Sequence, residues 1–113
     1  MVPGKMKAVG FCVLVTVPSE EVAADIARDL VSGNLAACVQ IEGPILSVYA
    51  WNDKIEEDKE WRLVIKTTGE RYTELERVIQ KSHPYDVPQI VALPIIEGYH
   101  PYIEWLVKAT AGK

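Results

Sequence analysis

Basic residues are in the minority, histidine and cysteine occur only twice each, and no apolar run is long. The 113 residues carry 12 Lys and Arg against 16 Asp and Glu, a formal net charge of -4. A nucleic-acid binder neutralises phosphates with a basic face; none is visible, which excludes that class. No apolar stretch approaches the roughly 20 residues that a membrane-spanning helix needs. The nucleophile-elbow glycine pattern, the phosphate-cradling loop, the dinucleotide fingerprint and HExxH are also missing. The features that remain assemble no reaction, so the expectation is a protein that is not an enzyme and requires no cofactor. Cys12 and Cys38 lack the CxxC spacing of a zinc or redox site. Free thiols in apolar strands are the simpler reading, with one disulfide as the alternative.

What is present suffices for a core: 49% of the residues are hydrophobic, and the length fits one domain spanning residues 1–113, with residues 1–8 as a flexible N-terminal extension. Lys5 and Lys7 precede a short apolar run much as in a signal peptide. Pro18-Ser19-Glu20-Glu21 follows directly, however, and the run alternates like a strand, so a cytoplasmic location is expected.

The run Val9 to Val17 is nearly continuous, rich in β-branched residues and stopped by Pro18, which predicts a central strand covered on both faces. Ser19 is placed as an N-cap, with Glu20 and Glu21 where the helix dipole favours negative charge. Val22, Ala23, Ile26, Ala27, Leu30 and Val31 give the apolar stripe of a helix that Gly33-Asn34 ends. A second strand starts at "LAACVQI"; "EGP" at Glu42 to Pro44 implies a bulge or bend before "ILSVYAW" resumes. Asn52-Asp53-Lys54 turns the chain, and the acidic stretch through Glu60 reads as a solvated hairpin tip. In "WRLVIKTT", Trp61, Leu63, Ile65 and Thr67 share one face, and Arg62, Val64 and Lys66 the other. Thr67 and Glu70 match a capping box for a second helix ending near Ser82. "HPYDVP" (His83 to Pro88) connects it to the strand Gln89 to Ile96, which Pro94 assigns to a sheet edge or a bulge. A last helix begins near Pro101, with Tyr102, Leu106 and Ala109 facing inward.

The order β, α, long ββ hairpin, α, β, α predicts an α+β fold: a ferredoxin-like split βαβ sandwich with an extra C-terminal helix. Its first and third strands would be central, and its second and fourth edges. A hairpin longer than the sheet can pair leaves open backbone, so association by strand addition is expected.

Four segments in sequence, "LAACVQI", "SVYAWNDKIEEDKEWRLVIKTT", "HPYDVPQIVALPI" and "YIEWL", resemble the CutA divalent-cation tolerance family from about Val13 to Val107. The resemblance implies a homotrimer, similar in architecture to PII-type signalling proteins. It also implies a role in tolerance to copper and other divalent cations, with no settled enzymatic activity. In family members described as copper-binding, a cysteine just before a Thr-x-Pro and one or two histidines before a Pro-Tyr are implicated. Here Thr16-Val17-Pro18 puts Val15 at the cysteine position, and His83 alone, preceded by Ser82, stands before Pro84-Tyr85.

His83 is therefore the candidate metal ligand, for copper or another divalent cation; the plainer reading is a hydrogen-bonded side chain. Lys66 with Tyr49, Trp51, Tyr85 and Asp86 is a candidate ligand cleft between subunits, and the plainer reading of Lys66 is a side chain reaching to water or to a carboxylate. Cys38, in the family string "AACV", is a possible ligand whose simplest reading is a small apolar residue in a packed strand. Trp51, Trp61 and Trp105 are assigned to cores and subunit contacts. His100 is assigned no role. The function classes are a weakly metal-binding tolerance protein, a PII-like module holding a small ligand or partner, and a scaffold with no ligand.

Overall fold

Residues 7–112 are described by a computed structural model, in the order β1 (Gly10–Val17), α1 (Glu20–Ser32), β2 (Cys38–Trp51), β3 (Lys54–Thr67), α2 (Gly69–Ser82), β4 (Ile90–Ile95) and α3 (His100–Ala109). Of the expected extension over residues 1–8, only Lys7 and Ala8 fall within the described residues. The four strands form one antiparallel sheet in the order β2-β3-β1-β4, so β1 and β3 are central and the proline-bearing β2 and β4 are edges, as expected.

Alternation decides what the sheet buries. Val13, Val15 and Val17 pair across to Ile65, Leu63 and Trp61, and this face packs against Ala23, Ile26 and Leu30 of α1 and Leu75 and Ile79 of α2. Each fully buried aliphatic side chain there contributes about 1.5–3 kcal/mol. The other face holds Cys12, Leu14 and Thr16, flanked by Lys66, Val64 and Arg62 on β3 and by Leu93 and Val91 on β4. Leu14 and Val64 are only half-buried, and Val91 and Leu93 are exposed. The expected cover on both faces of β1 is met only in part: the two core helices lie on one face, and α3 reaches the other only at the end of the strand, where Leu106 lies against Gly10. A continuous apolar run reports that both faces are apolar, not what covers each.

Ser19 caps α1 as predicted, its hydroxyl accepting from the Val22 amide at 3.1 Å. The predicted capping box is not formed. Thr68 is the N-cap of α2, whereas Thr67 closes β3, fully buried, and donates its hydroxyl to the Leu35 carbonyl at 2.6 Å. Spacing alone does not separate two adjacent threonines. On α3, Leu106 is buried as expected, but Tyr102 is exposed and rests on Trp105, with ring centroids 5.5 Å apart. The C-terminal end of α3 is held by side chains instead: Arg71 donates to the carbonyls of Thr110 at 2.7 Å and Ala111 at 2.9 Å, and Asn34 to that of Ala109 at 3.1 Å.

The hairpin outruns the sheet. β1 pairs with β3 only from Trp61 to Thr67, so residues 45–51 and 54–60 continue as a two-stranded arm. Asn52 and Asp53 turn it with φ of 51° and 63°, the left-handed pair a two-residue hairpin loop requires. The pairing register shifts between Glu42 and Ile45, where "EGP" implies a bulge. Among the described residues no helix is long and apolar enough to cross a membrane.

Candidate functional site

The HPYDVP corner is built by its prolines. Pro84 excludes α-helical backbone at the residue before it, and His83 accordingly turns extended, with ψ of 134°, as the C-cap of α2. This swings the imidazole inward against β1, where His83 is 8% exposed. Its Nε2 lies 2.8 Å from the Thr16 carbonyl, and its Nδ1 accepts from the Tyr85 amide at 3.1 Å. An amide can only donate, so Nδ1 is the acceptor nitrogen. The proton sits on Nε2 and is given to Thr16, a tautomer assigned by the hydrogen-bond pattern.

Tyr85, its ring tilted against that of His83 at 4.8 Å, reaches the base of the arm and donates its hydroxyl to Glu60 Oε2 at 2.7 Å. Farther out, Tyr49 donates to Asp58 across the hairpin. Both phenols are held as protonated donors. The hydrogen bond to Asp58, followed by desolvation, pushes Tyr49 up to about 12. Burial, followed by the bond to Glu60, raises Tyr85 well above the usual phenol range.

Between arm and corner lies an open groove of about 540 Å³. Ser47, Val48, Tyr49, Trp51 and Glu60 line it from the arm, Tyr85, Asp86, Val87 and Gln89 from the corner, and Thr16 from the end of β1. Four of the residues proposed for a cleft, Tyr49, Trp51, Tyr85 and Asp86, are brought together here, from segments more than 30 residues apart.

Lys66 and Cys38 are not. Lys66 is on the same face of β3 as Glu60 but six residues along the strand, about 20 Å away at 3.3 Å per residue. There it donates to Gln40 at 3.3 Å, between Cys12 on one neighbouring strand and Cys38 on the other. Two strand spacings put those cysteines about 10 Å apart, beyond the reach of a disulfide, and both thiols are free and half-buried. Val15 is fully buried in the core, on the face opposite Cys12.

Glu60 is the groove residue that the sequence concealed. Read as part of a solvated tip, it is 7% exposed and accepts from Tyr85. Its one sequence signal is position: it is the last carboxylate before the apolar strand, where the arm meets the sheet. A resident metal does not fit one chain. His83 has both ring nitrogens engaged, and among the described residues no three His, Cys, Asp or Glu side chains converge.

Residues 11–109 match the model of the family described as CutA1 divalent ion tolerance protein. The divalent-cation tolerance protein CutA of Thermus thermophilus is 49% identical over 87% of this chain and 95% of its own length. A solved structure of a divalent cation tolerance protein from the same organism superposes with a TM-score of 0.88 at 48% identity, covering 89% of this chain and 98% of that one. Human protein CutA is 41% identical over 96% of this chain, and a chloroplastic CutA of Arabidopsis thaliana 43% over 87%. The chain spans only 59% and 54% of the length of those two relatives.

Proposed function

The chain belongs to the CutA1 divalent ion tolerance family, and from that membership we propose that it serves divalent-cation tolerance as a homotrimeric, ferredoxin-like binding module, acting through the groove beside the HPYDVP corner. The observation that carries the reading is the groove itself. Its volume of about 540 Å³ lies within the range of small-molecule sites, and its walls combine aromatic rings with a few fixed polar groups. The role is binding rather than catalysis: the groove's two phenols, Tyr49 and Tyr85, are held as protonated donors on Asp58 and Glu60. A cytoplasmic location is part of the proposal; it is a statement about this chain only, as a relative named chloroplastic has another.

Thermal unfolding across a panel of metabolites and of Cu(II), Zn(II) and Ni(II) salts tests the reading. A ligand at 100 times its Kd adds about 2.7 kcal/mol. At least one small molecule is expected to raise the midpoint by several degrees, and Trp51→Ala to remove the rise. Silence across the panel, or a rise that survives in Trp51→Ala, contradicts the reading.

Support for the trimer comes from surface that a single chain leaves open. β2 and β4 are unpaired edges, and Leu14, Val64, Val91 and Leu93 form an apolar sheet face with no helix from the core layer over it. Light scattering at micromolar concentration is expected to give about three times the chain mass of 12.6 kDa. A monomer contradicts it.

A second reading, weak direct binding of copper or another divalent cation, draws on the names of the relatives. Because no three such donors converge among the described residues of one chain, such an ion would take ligands from more than one copy.

A further inference from the structure

We propose that the groove selects a small organic cation, an alkylammonium or guanidinium on an apolar stem, seated between the rings of Trp51 and Tyr49 and the carboxylates of Glu60 and Asp86. The inference rests on the groove reading and gives its ligand a chemical class. Three features of the walls converge on it.

The first is charge. The lining residues include two carboxylates, Glu60 and Asp86, and no Lys, Arg or His, while Asp58 stands behind Tyr49. None of the three basic residues on this face of β3 lines the groove. Arg62, two residues from Glu60, is paired with Glu42 at 2.8 Å, Lys66 is far along the strand, and Lys54 is at the outer end of the arm opposite Trp51. An anion entering the groove meets like charge in a partly desolvated cleft, where screening by water is weaker than in bulk.

The second is hydrogen-bond polarity. Tyr49 and Tyr85 have spent their hydroxyl protons on Asp58 and Glu60, so the phenol oxygens face a guest as acceptors. Glu60 carries more lone pairs than Tyr85 uses, and Asp86 is exposed. The walls therefore offer acceptors and want a donor. A bare metal ion is the poorer complement, because it needs several oxygens converging at about 2–2.6 Å and no such cluster is found among the described residues. A guest with N–H groups spread over several ångströms does not.

The third is the aromatic surface. Trp51 is 56% exposed and lines the groove beside Tyr49. Ring faces attract ammonium and guanidinium groups, and Trp is the strongest of the three aromatic side chains in this respect. Val87 gives an alkyl stem apolar contact.

Calorimetry on the full chain at about 20 mM salt tests the inference with four probes: agmatine, n-butylammonium, n-butyrate and n-butanol. Agmatine and butylammonium are expected to bind at least tenfold more tightly than butyrate and butanol. Asp86→Asn and Trp51→Leu are each expected to weaken agmatine at least fivefold, with an unchanged unfolding midpoint for the exposed Asp86 variant. Raising salt to about 300 mM is expected to weaken it as well. Butanol or butyrate binding as tightly as butylammonium overturns the cation selectivity while leaving the groove a ligand site. Agmatine binding unchanged in both variants overturns the location. No heat from any probe, with a silent metabolite panel, overturns inference and groove reading together.

Discussion

Replacing His83 by alanine lowers the unfolding midpoint by about 10 °C or more, and leaves the calorimetric response to Cu(II) as it is in the parent chain. The stability loss has three sources. The Thr16 carbonyl loses its donor and the Tyr85 amide its acceptor, and a buried imidazole leaves a void. Each buried group left unsatisfied costs about 1–3 kcal/mol, so the two together are expected to cost about 2–6 kcal/mol, to which the void adds. For a domain of this size each kcal/mol lowers the midpoint by about 4–8 °C. The two nitrogens are separable by substitution. Glutamine places an amide near Nε2 and can donate to Thr16, while asparagine places an oxygen near Nδ1 and can accept from the Tyr85 amide. Each is expected to recover part of the loss. The metal outcome follows from the same geometry, since neither nitrogen is free to ligate without breaking a hydrogen bond. A His83→Ala chain that keeps its midpoint and loses Cu(II) binding would reverse the assignment and make His83 a ligand.

The corner also shows where sequence reasoning stops. Two prolines around a short polar run announce a stiff connector, and Pro44 and Pro94 announce edge strands, because a missing N–H and a fixed φ act locally and are legible one residue at a time. Alternation assigns Trp61, Leu63, Ile65 and Thr67 to one face for the same reason. Depth along a strand is not local. Lys66 and Glu60 share a face, and only the length of β1, which ends its pairing at Trp61, determines that Glu60 is beside the corner and Lys66 about 20 Å from it. Burial of Glu60 is hidden likewise, since a carboxylate in an acidic run reads as solvated until Tyr85 arrives from beyond the far end of α2. Tyr102 is misplaced by its pattern because Tyr102, Trp105 and Leu106 share one side of a three-turn helix, and spacing alone does not say that only Leu106 is buried.

Gly43→Ala tests the one position on which the groove's composition turns. A Cβ built at Gly43 would lie 2.4 Å from Trp61 Cδ1 and 2.7 Å from its Cγ, closer than non-bonded carbons approach, and the indole is packed against the core and has little room to give. Overpacking of this kind costs about 1–3 kcal/mol. The reduced freedom of the unfolded chain returns at most about 0.4–1 kcal/mol, so the net effect is destabilising. Trp61→Ala removes the obstruction and leaves only the backbone cost of alanine at a φ of 159°, so the added methyl is expected to cost less there, giving a coupling of at least about 1 kcal/mol in a double-mutant cycle. Equal costs in both backgrounds would show that the ring is not what holds position 43 to glycine. The consequence reaches the site through register. Before the bulge the even residues of β2 pair with the Glu60 side of β3: Cys38 with Lys66, Gln40 with Val64, Glu42 with Arg62. After it the odd residues do: Ile45 with Glu60, Ser47 with Asp58, Tyr49 with Glu56, Trp51 with Lys54. One extra residue at "EGP" has exchanged the two faces of the strand. Deleting Gly43 alone would remove that extra residue and leave Ile45 opposite Glu60, so Tyr49 and Trp51 are expected to keep the groove face and agmatine its preference over butanol. Deleting Gly43 and Ile45 together leaves no spare residue to absorb the loss. Leu46 then falls opposite Glu60 and Val48 opposite Asp58, while Asn52, Asp53 and Lys54 close the arm as a three-residue turn. That variant is expected to bind agmatine no better than butanol, because the rings and the Tyr49 oxygen would point away from the corner.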